Sequence, residues 1–166
     1  RGDGSVVAWG DNSYGQAFIS VGLSNVLAIA AGGSHSVALR ADHSVAAWGN
    51  NSSGQTAVPG NLSNVVAVAA GGAHTLALRA DGSVVGWGNN TYGQSTVPAT
   101  ASNVVAISAC GSNSLALRAD GLVLAWGING QTNVPTALSN VVAIAAGGSH
   151  CLALAGLAPG LVPPEP

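Results

Sequence analysis

The stretch NVVAVAAGGAHTLALRADGSVVGWG, residues 64–88, decides how this chain is to be read. It contains three short runs rich in Val, Leu, Ala and Trp, each bounded by turn residues, the pattern of short β-strands. The first run, 64–70, ends at Gly71-Gly72; the second, 74–79, is followed by Ala80-Asp81-Gly82; the third is 83–88. Gly82 supplies the positive φ that a tight hairpin needs, so the second and third runs are expected to pair antiparallel. His43 holds that place one unit earlier and is tolerated, because His is enriched among the non-Gly residues found at positive φ. Side chains alternate along a strand, so Leu76 and Leu78 share one face and Thr75, Ala77 and Arg79 the other. Val85 and Trp87 likewise oppose Val84, Gly86 and Gly88. Each small sheet is expected to have a bulky side and a shallow side, with the bulky side of one filling the shallow side of the next.

The stretch recurs. Trp9, Trp48, Trp87 and Trp126 are 39 residues apart, as are Arg1, Arg40, Arg79 and Arg118, and Asp3, Asp42, Asp81 and Asp120. A unit this small cannot bury its own faces, so the core must form between neighbouring units. The opening RGDGSVVAWG is the same segment with Gly2 where Ala41, Ala80 and Ala119 stand. Arg1-Gly2-Asp3 therefore spells an adhesion tripeptide but reads as one repeat's turn. Loops join the units. Gly-Gln recurs at Gly15-Gln16, Gly54-Gln55, Gly93-Gln94 and Gly130-Gln131, and Val-Pro at Val58-Pro59, Val97-Pro98 and Val134-Pro135. Variation in such loops is where a binding surface is tuned.

Composition narrows the function classes. Charged residues make up 6% of the 166, against about 25% in an ordinary soluble domain. All four cations are Arg, and the net charge is -2. No basic patch is available for a phosphate backbone, which argues against nucleic acid as a partner. No run reaches the ~18 apolar residues of a membrane span. The chain starts inside a repeat, without an initiator Met or a visible signal peptide, and reads as a processed product or part of a longer polypeptide. A surface of Ser, Thr, Asn, Gln and Gly suits a secreted or cell-surface protein. Cys110 stands where other units have Gly, and Cys151 where they have Ser or Thr. Two such positions make no disulfide framework, and two thiols are expected rather than a bond. Asn50, Asn51, Asn61 and Asn89 lie in sequons, which matter only if the source glycosylates.

Each candidate site residue has a structural reading. The four Trp recur in the strand pattern and are expected in the core rather than on a sugar-binding surface. His35, His74 and His150 share one repeat position, interrupted by Asn113. Spread around a ring, they stand too far apart for one tetrahedral metal at ~2.0–2.1 Å per ligand. They are expected to be structural, satisfied by the backbone of the next unit. The Arg and Asp of the turns read as solubility and turn chemistry, since exposed pairs contribute only ~0–1 kcal/mol. The asymmetric residues compose no set of nucleophile, base and orienter, and the Gly pairs precede no helix that could hold a phosphate. No catalytic, metal-binding or cofactor-binding residue is assigned, no cofactor is expected, and an enzyme is not. Tyr14, Phe18 and Tyr92, on the loops, are the candidate partner contacts.

The signals SVVAWG, YGQ, VP, LSNVVAIAAGGSH and LALRADG resemble the regulator-of-chromosome-condensation repeat family. In their short form the units are similar to propeller-type β-lactamase inhibitory proteins. The resemblance spans residues 1–156, leaving 157–166 as a Pro-rich tail expected to be extended. It implies an all-β propeller, or propeller-like arc, of four small antiparallel blades, and binding rather than catalysis. Family members usually close with seven blades, so these four stand alone or as part of a larger ring or assembly. The last unit, HCLALAGLAPGLVPPEP, has Ala155 where Arg is expected and no following SVVAWG strand. Residues 5–10 are the natural supplement, either within the chain or on a neighbour's last blade, which would give an eight-blade ring or an open array. Two readings lead. One is a non-catalytic protein-binding module, secreted or surface-attached. The other is a structural building block of an extracellular homo-oligomer or filament, self-associating by strand complementation. Binding like that of a β-lactamase inhibitor or a GTPase exchange factor is the weaker alternative.

Overall fold

The computed structural model describes residues 4–19, 22–128 and 132–156. The Arg1-Gly2-Asp3 turn, the Gly130-Gln131 pair and the Pro-rich tail lie outside them. Eleven strands and no helix occur among the described residues. Blade 1 comprises β1 (Val26–Ala31), β2 (His35–Arg40) and β3 (Val45–Gly49); blade 2 comprises β4 (Val65–Ala70), β5 (His74–Arg79) and β6 (Val84–Gly88). Blade 3 comprises β7 (Val104–Cys110), β8 (Asn113–Arg118) and β9 (Val123–Gly127), and blade 4 comprises β10 (Val141–Ala146) and β11 (Cys151–Ala155). Each blade is an antiparallel meander in chain order. The runs expected at 64–70, 74–79 and 83–88 fold within one residue of those bounds.

Local chemistry sets the register. His43 takes φ 65° in the β2–β3 turn, as its place in the hairpin requires. Asn25, Asn64, Asn103 and Asn140 adopt φ of 53–55° just before the first strand of each blade. Their short polar side chains suit the left-handed region. A β-bulge follows in each case, between Val26 and Ala28 in blade 1 and at the matching residues of the others. The bulge leaves one apolar residue per blade, Leu27, Val66, Val105 and Val142, facing solvent.

The hydrophobic core lies between blades rather than within them. Leu39 of blade 1 clusters with Val65, Ala77 and Trp87 of blade 2. Leu76 and Leu78 of blade 2 cluster with Val104, Ala116 and Trp126 of blade 3. Leu117 and Val123 of blade 3 meet Val141 of blade 4. One expectation changes here. A sheet has no wholly bulky side, because the cross-strand partners are Leu76 with Gly86 and Thr75 with Trp87. Bulk and gap therefore alternate within each face, and the Leu pair of one blade meets the Trp of the next in a single seam.

Blade 4 has no third strand among the described residues, and 5–10 form no strand on it. Trp9 consequently departs from the core role expected of it. It is 85% exposed, whereas Trp87 and Trp126 are 8% and 7% exposed. Trp48 is half-buried, since no Leu pair from a preceding blade covers it. Leu76 is fully buried in a seam, so Leu76→Ala is expected to destabilise the fold by ~2–5 kcal/mol in urea unfolding. Val66→Ala, at a solvent-facing bulge, should cost no more than about 0.5 kcal/mol.

Candidate interaction faces

The seams carry a repeated polar staple. The backbone oxygen of Gln55 accepts the Thr75 hydroxyl at 2.8 Å and the Trp87 indole N–H at 2.9 Å. Gln94 serves Ser114 and Trp126 in the same way, and Gln16 serves Ser36 and Trp48. The Thr75 and Ser114 hydroxyls also meet the histidine of the blade before. His35 Nε2 lies 3.0 Å from Thr75 Oγ1, and His74 Nε2 lies 2.9 Å from Ser114 Oγ. The hydroxyl proton goes to the Gln oxygen, so each histidine donates from Nε2. The partner is thus a neighbour's side chain, not the backbone expected. His43 adds a further link across the same seam, from Nδ1 to Val65 O at 2.9 Å. The Gly-Gln loops, read from the sequence as connections where a binding surface could be tuned, also anchor the Trp side chains.

Burial lowers the pKa of His35, and burial, with the charge that a protonated His35 would carry, lowers that of His74 to about 4. The His ring also explains the Gly-Gly pair. A Cβ at Gly71 would run into the His74 ring, and one at Gly32 into the His35 ring. In blade 3 both positions change together. Cys110 replaces the first Gly, and Asn113, smaller than His, leaves it room. Asn113 is buried with neither side-chain polar atom hydrogen-bonded. Its partner position across the seam holds Cys151 instead of Ser or Thr. Burial, and then the nearby Cys110, raise the Cys151 thiol's pKa.

The two ends of the blades differ chemically. At the turn end, Asp42 accepts the Ser44 N–H and hydroxyl, and Asp81 does the same for Ser83. These hydrogen bonds hold both carboxyls below the usual carboxylate range. Leu122 replaces that Ser in blade 3, and Asp120 pairs with Arg118 at 2.7 Å. At the histidine end, where β3 and β6 finish, begin the loops that bear Tyr14, Phe18 and Tyr92. The three aromatics are 58%, 66% and 53% exposed. Their loops are fixed from below. Gln94 Oε1 accepts the Tyr92 N–H at 2.9 Å while its Nε2 donates to Asn89, and Gln16 makes the same pair of contacts with Tyr14 N–H and Asp11. The aromatics are therefore presented on a braced loop. His35 and His74 sit inside the seams and His150 is exposed. Among the described residues no group of three His, Cys, Asp or Glu is placed to hold a metal.

Residues 26–55 and 65–94 match the Regulator of chromosome condensation (RCC1) repeat. These two stretches are repeats of that kind, and propellers made of them are generally protein-binding modules. No curated protein sequence matches it. Among solved structures it resembles Prp20p of Saccharomyces cerevisiae, studied for its binding to Gsp1p and histones, at 23% identity and a TM-score of 0.68, over 78% of this chain and 43% of that one. Human WBSCR16 is similar at 26% identity and a TM-score of 0.68, over 87% and 53%. The ectodomain of the Physcomitrella patens receptor kinase CR4 is similar at 25% and 0.67, over 91% and 40%. The fold is thus that of an RCC1 propeller, and the chain spans about 40–53% of the length of these structures.

The seam chemistry yields two tests. Asn113→His should drive the imidazole into Cys110 and destabilise the protein by about 1–3 kcal/mol. Adding Cys110→Gly should remove most of that loss, which a double-mutant cycle in urea would register as coupling. The second test is pH. His74 has a folded pKa of about 4 against an ordinary 6.5, so the unfolded chain takes up the proton first. Its contribution is complete above pH 6.5 and is lost as the pH falls toward 4, by roughly 3 kcal/mol. Thermal melts from pH 7.5 to 4.5 should show this slope, and His74→Asn should flatten it.

Proposed function

We propose that the chain is a non-catalytic protein-binding propeller module, working outside the cell or at its surface, with its contact face at the histidine end of the blades. The observation that carries this reading is the presentation of Tyr14, Phe18 and Tyr92, exposed aromatics on loops braced by buried or half-buried Gln side chains. Aromatic anchors held rigidly lose little entropy on binding and dominate interface energetics. The sparse charge and polar uncharged surface support an extracellular setting, as does the likeness to a receptor kinase ectodomain. Binding of Gsp1p and histones by Prp20p supports the protein-binding class. Those partners are not carried across, because the chain covers 43% of that protein.

The chain, immobilised and exposed to the extracellular medium of its source, should retain a specific protein. The combined substitution Tyr14→Ser, Phe18→Ser and Tyr92→Ser should abolish that retention without lowering the melting temperature. Equal capture by the wild type and this variant would refute the assignment of the face.

A further inference from the structure

We propose that Cys110 and Cys151 are a redox pair that closes into a disulfide across the seam between blades 3 and 4, at the place where the inner seams carry the histidine–hydroxyl staple. The bond is a modification of the fold itself and does not depend on which protein the aromatic loops bind.

Three observations converge on it. The first is where the two residues stand in the repeat. Between blades 2 and 3 the staple runs from Gly71 through the His74 ring to Ser114. A Cβ at Gly71 would lie 2.9 Å from His74 Nε2, and Nε2 lies 2.9 Å from Ser114 Oγ. One seam on, the same three positions hold Cys110, Asn113 and Cys151. Asn113 gives up the volume of the ring, and Cys110 brings the Cβ and sulfur that Gly71 lacks. The path that an imidazole spans in the inner seams is open here to two sulfurs. A disulfide, with its Cβ atoms about 3.5–4.5 Å apart, is of comparable reach.

The second is the spacing of the blades at this point. A Cβ at Gly72 would lie 2.9 Å from Gly111 O, and one at Gly111 would lie 2.9 Å from Gly148 O. Gly72 follows Gly71 directly and Gly111 follows Cys110, so blades 3 and 4 approach beside the cysteines as closely as blades 2 and 3 do beside the staple. The local pairing carries over too. Cys110 stands opposite Asn113 in its hairpin, as the Gly71 N–H donates to His74 O. The two thiols also feel each other: after burial, Cys110 is the next cause that raises the pKa of Cys151.

The third is the Asn113 amide between them. It is 1% exposed and neither of its polar atoms is hydrogen-bonded, so this position carries a desolvation cost without a compensating bond. A covalent link beside it offsets that loss. Both cysteines are reduced in this structure, and Cys110 is half-buried, within reach of a small disulfide such as oxidised glutathione. The Cys110 thiolate attacks one glutathione sulfur and expels the other half as a thiolate. Cys151, once deprotonated, attacks Cys110 Sγ in the mixed disulfide and expels the second glutathione thiolate. The cysteine pair gives up two electrons and two protons, and one glutathione disulfide becomes two thiols.

The test uses the whole chain, equilibrated with reduced and oxidised glutathione in a series of ratios, quenched with acid and alkylated. Trypsin cuts after Arg118 and no Lys or Arg follows it, so the two cysteines fall on separate peptides, 80–118 and 119–166. From the oxidised chain these two should appear linked, with neither cysteine alkylated and no link between chains. A thiol reductant should then lower the melting temperature by roughly 5 °C or more, the scale for a bridge closing a loop of about 40 residues. Cys151→Ser restores the residue that Ser36 and Ser114 supply in their own blades. It should fold, form no bridge, and melt at one temperature with or without reductant. The proposal is overturned if both cysteines stay open to alkylation in the most oxidising buffer, or if they bond only to glutathione or between chains. It is also overturned if the linked chain melts no higher than the reduced one. Capture of a partner by the aromatic loops is read separately, because the variant leaves Tyr14, Phe18 and Tyr92 in place.

Discussion

One backbone oxygen in each linking loop, on Gln16, Gln55 and Gln94, receives both an indole N–H and a hydroxyl. The rest of the structure is arranged around those oxygens. The indole fixes the outer strand, the hydroxyl fixes the middle strand, and the histidine of the preceding blade fixes the angle at which two sheets meet. Because the atoms are buried, a missing partner leaves a desolvated group uncompensated, which costs more than the net value of an ordinary hydrogen bond. The seams are therefore specific as well as apolar, and a sheet cannot slide along its neighbour without breaking all three contacts at once.

Stability in such a stack is shared between neighbours. Trp87 and Trp126 are buried by the blades before their own, Trp48 only partly, and Trp9 hardly at all. The same gradient appears at the other end. Leu76 and Leu78 are closed over by blade 3, while Leu152 and Leu154 face water. The least regular seam is the one between blades 3 and 4, where Asn113 stands in for His and Cys151 for the hydroxyl. Across that seam Leu117 and Val123 pack with Val141, and Ala146 N–H donates to Ser108 Oγ.

The strands, their bounds and the hairpin at 80–82 were legible in the sequence, because period and alternation report directly on pairing. The between-blade location of the core followed from the size of a unit. What was not legible came from contacts between units. Nothing in the local pattern shows that Gln55 uses its backbone oxygen, or that His74 meets a hydroxyl rather than a carbonyl. Two signals were available. The simultaneous change of Gly to Cys at 110 and His to Asn at 113 points to a touching pair, and the recurrent Ser-Asn before each first strand points to a left-handed residue. Trp9 illustrates the limit of recurrence: its position in the repeat is that of a core residue, but burial depends on which blades are present around it. Tyr14, Phe18 and Tyr92 could be named as exposed loop residues, but the bracing that makes them presentable as a surface is visible only in three dimensions.

The pairing of Gly71 with His74 has a bearing on descent as well. Since the ring occupies the space where a methyl group would be, a side chain at the Gly position requires a smaller residue at the His position, as Cys110 has in Asn113. Gain or loss of a complete 39-residue unit meets no such barrier, because it recreates the same junction on both sides. A lineage built this way is freer to alter how many blades it has than to alter what any one of them is made of.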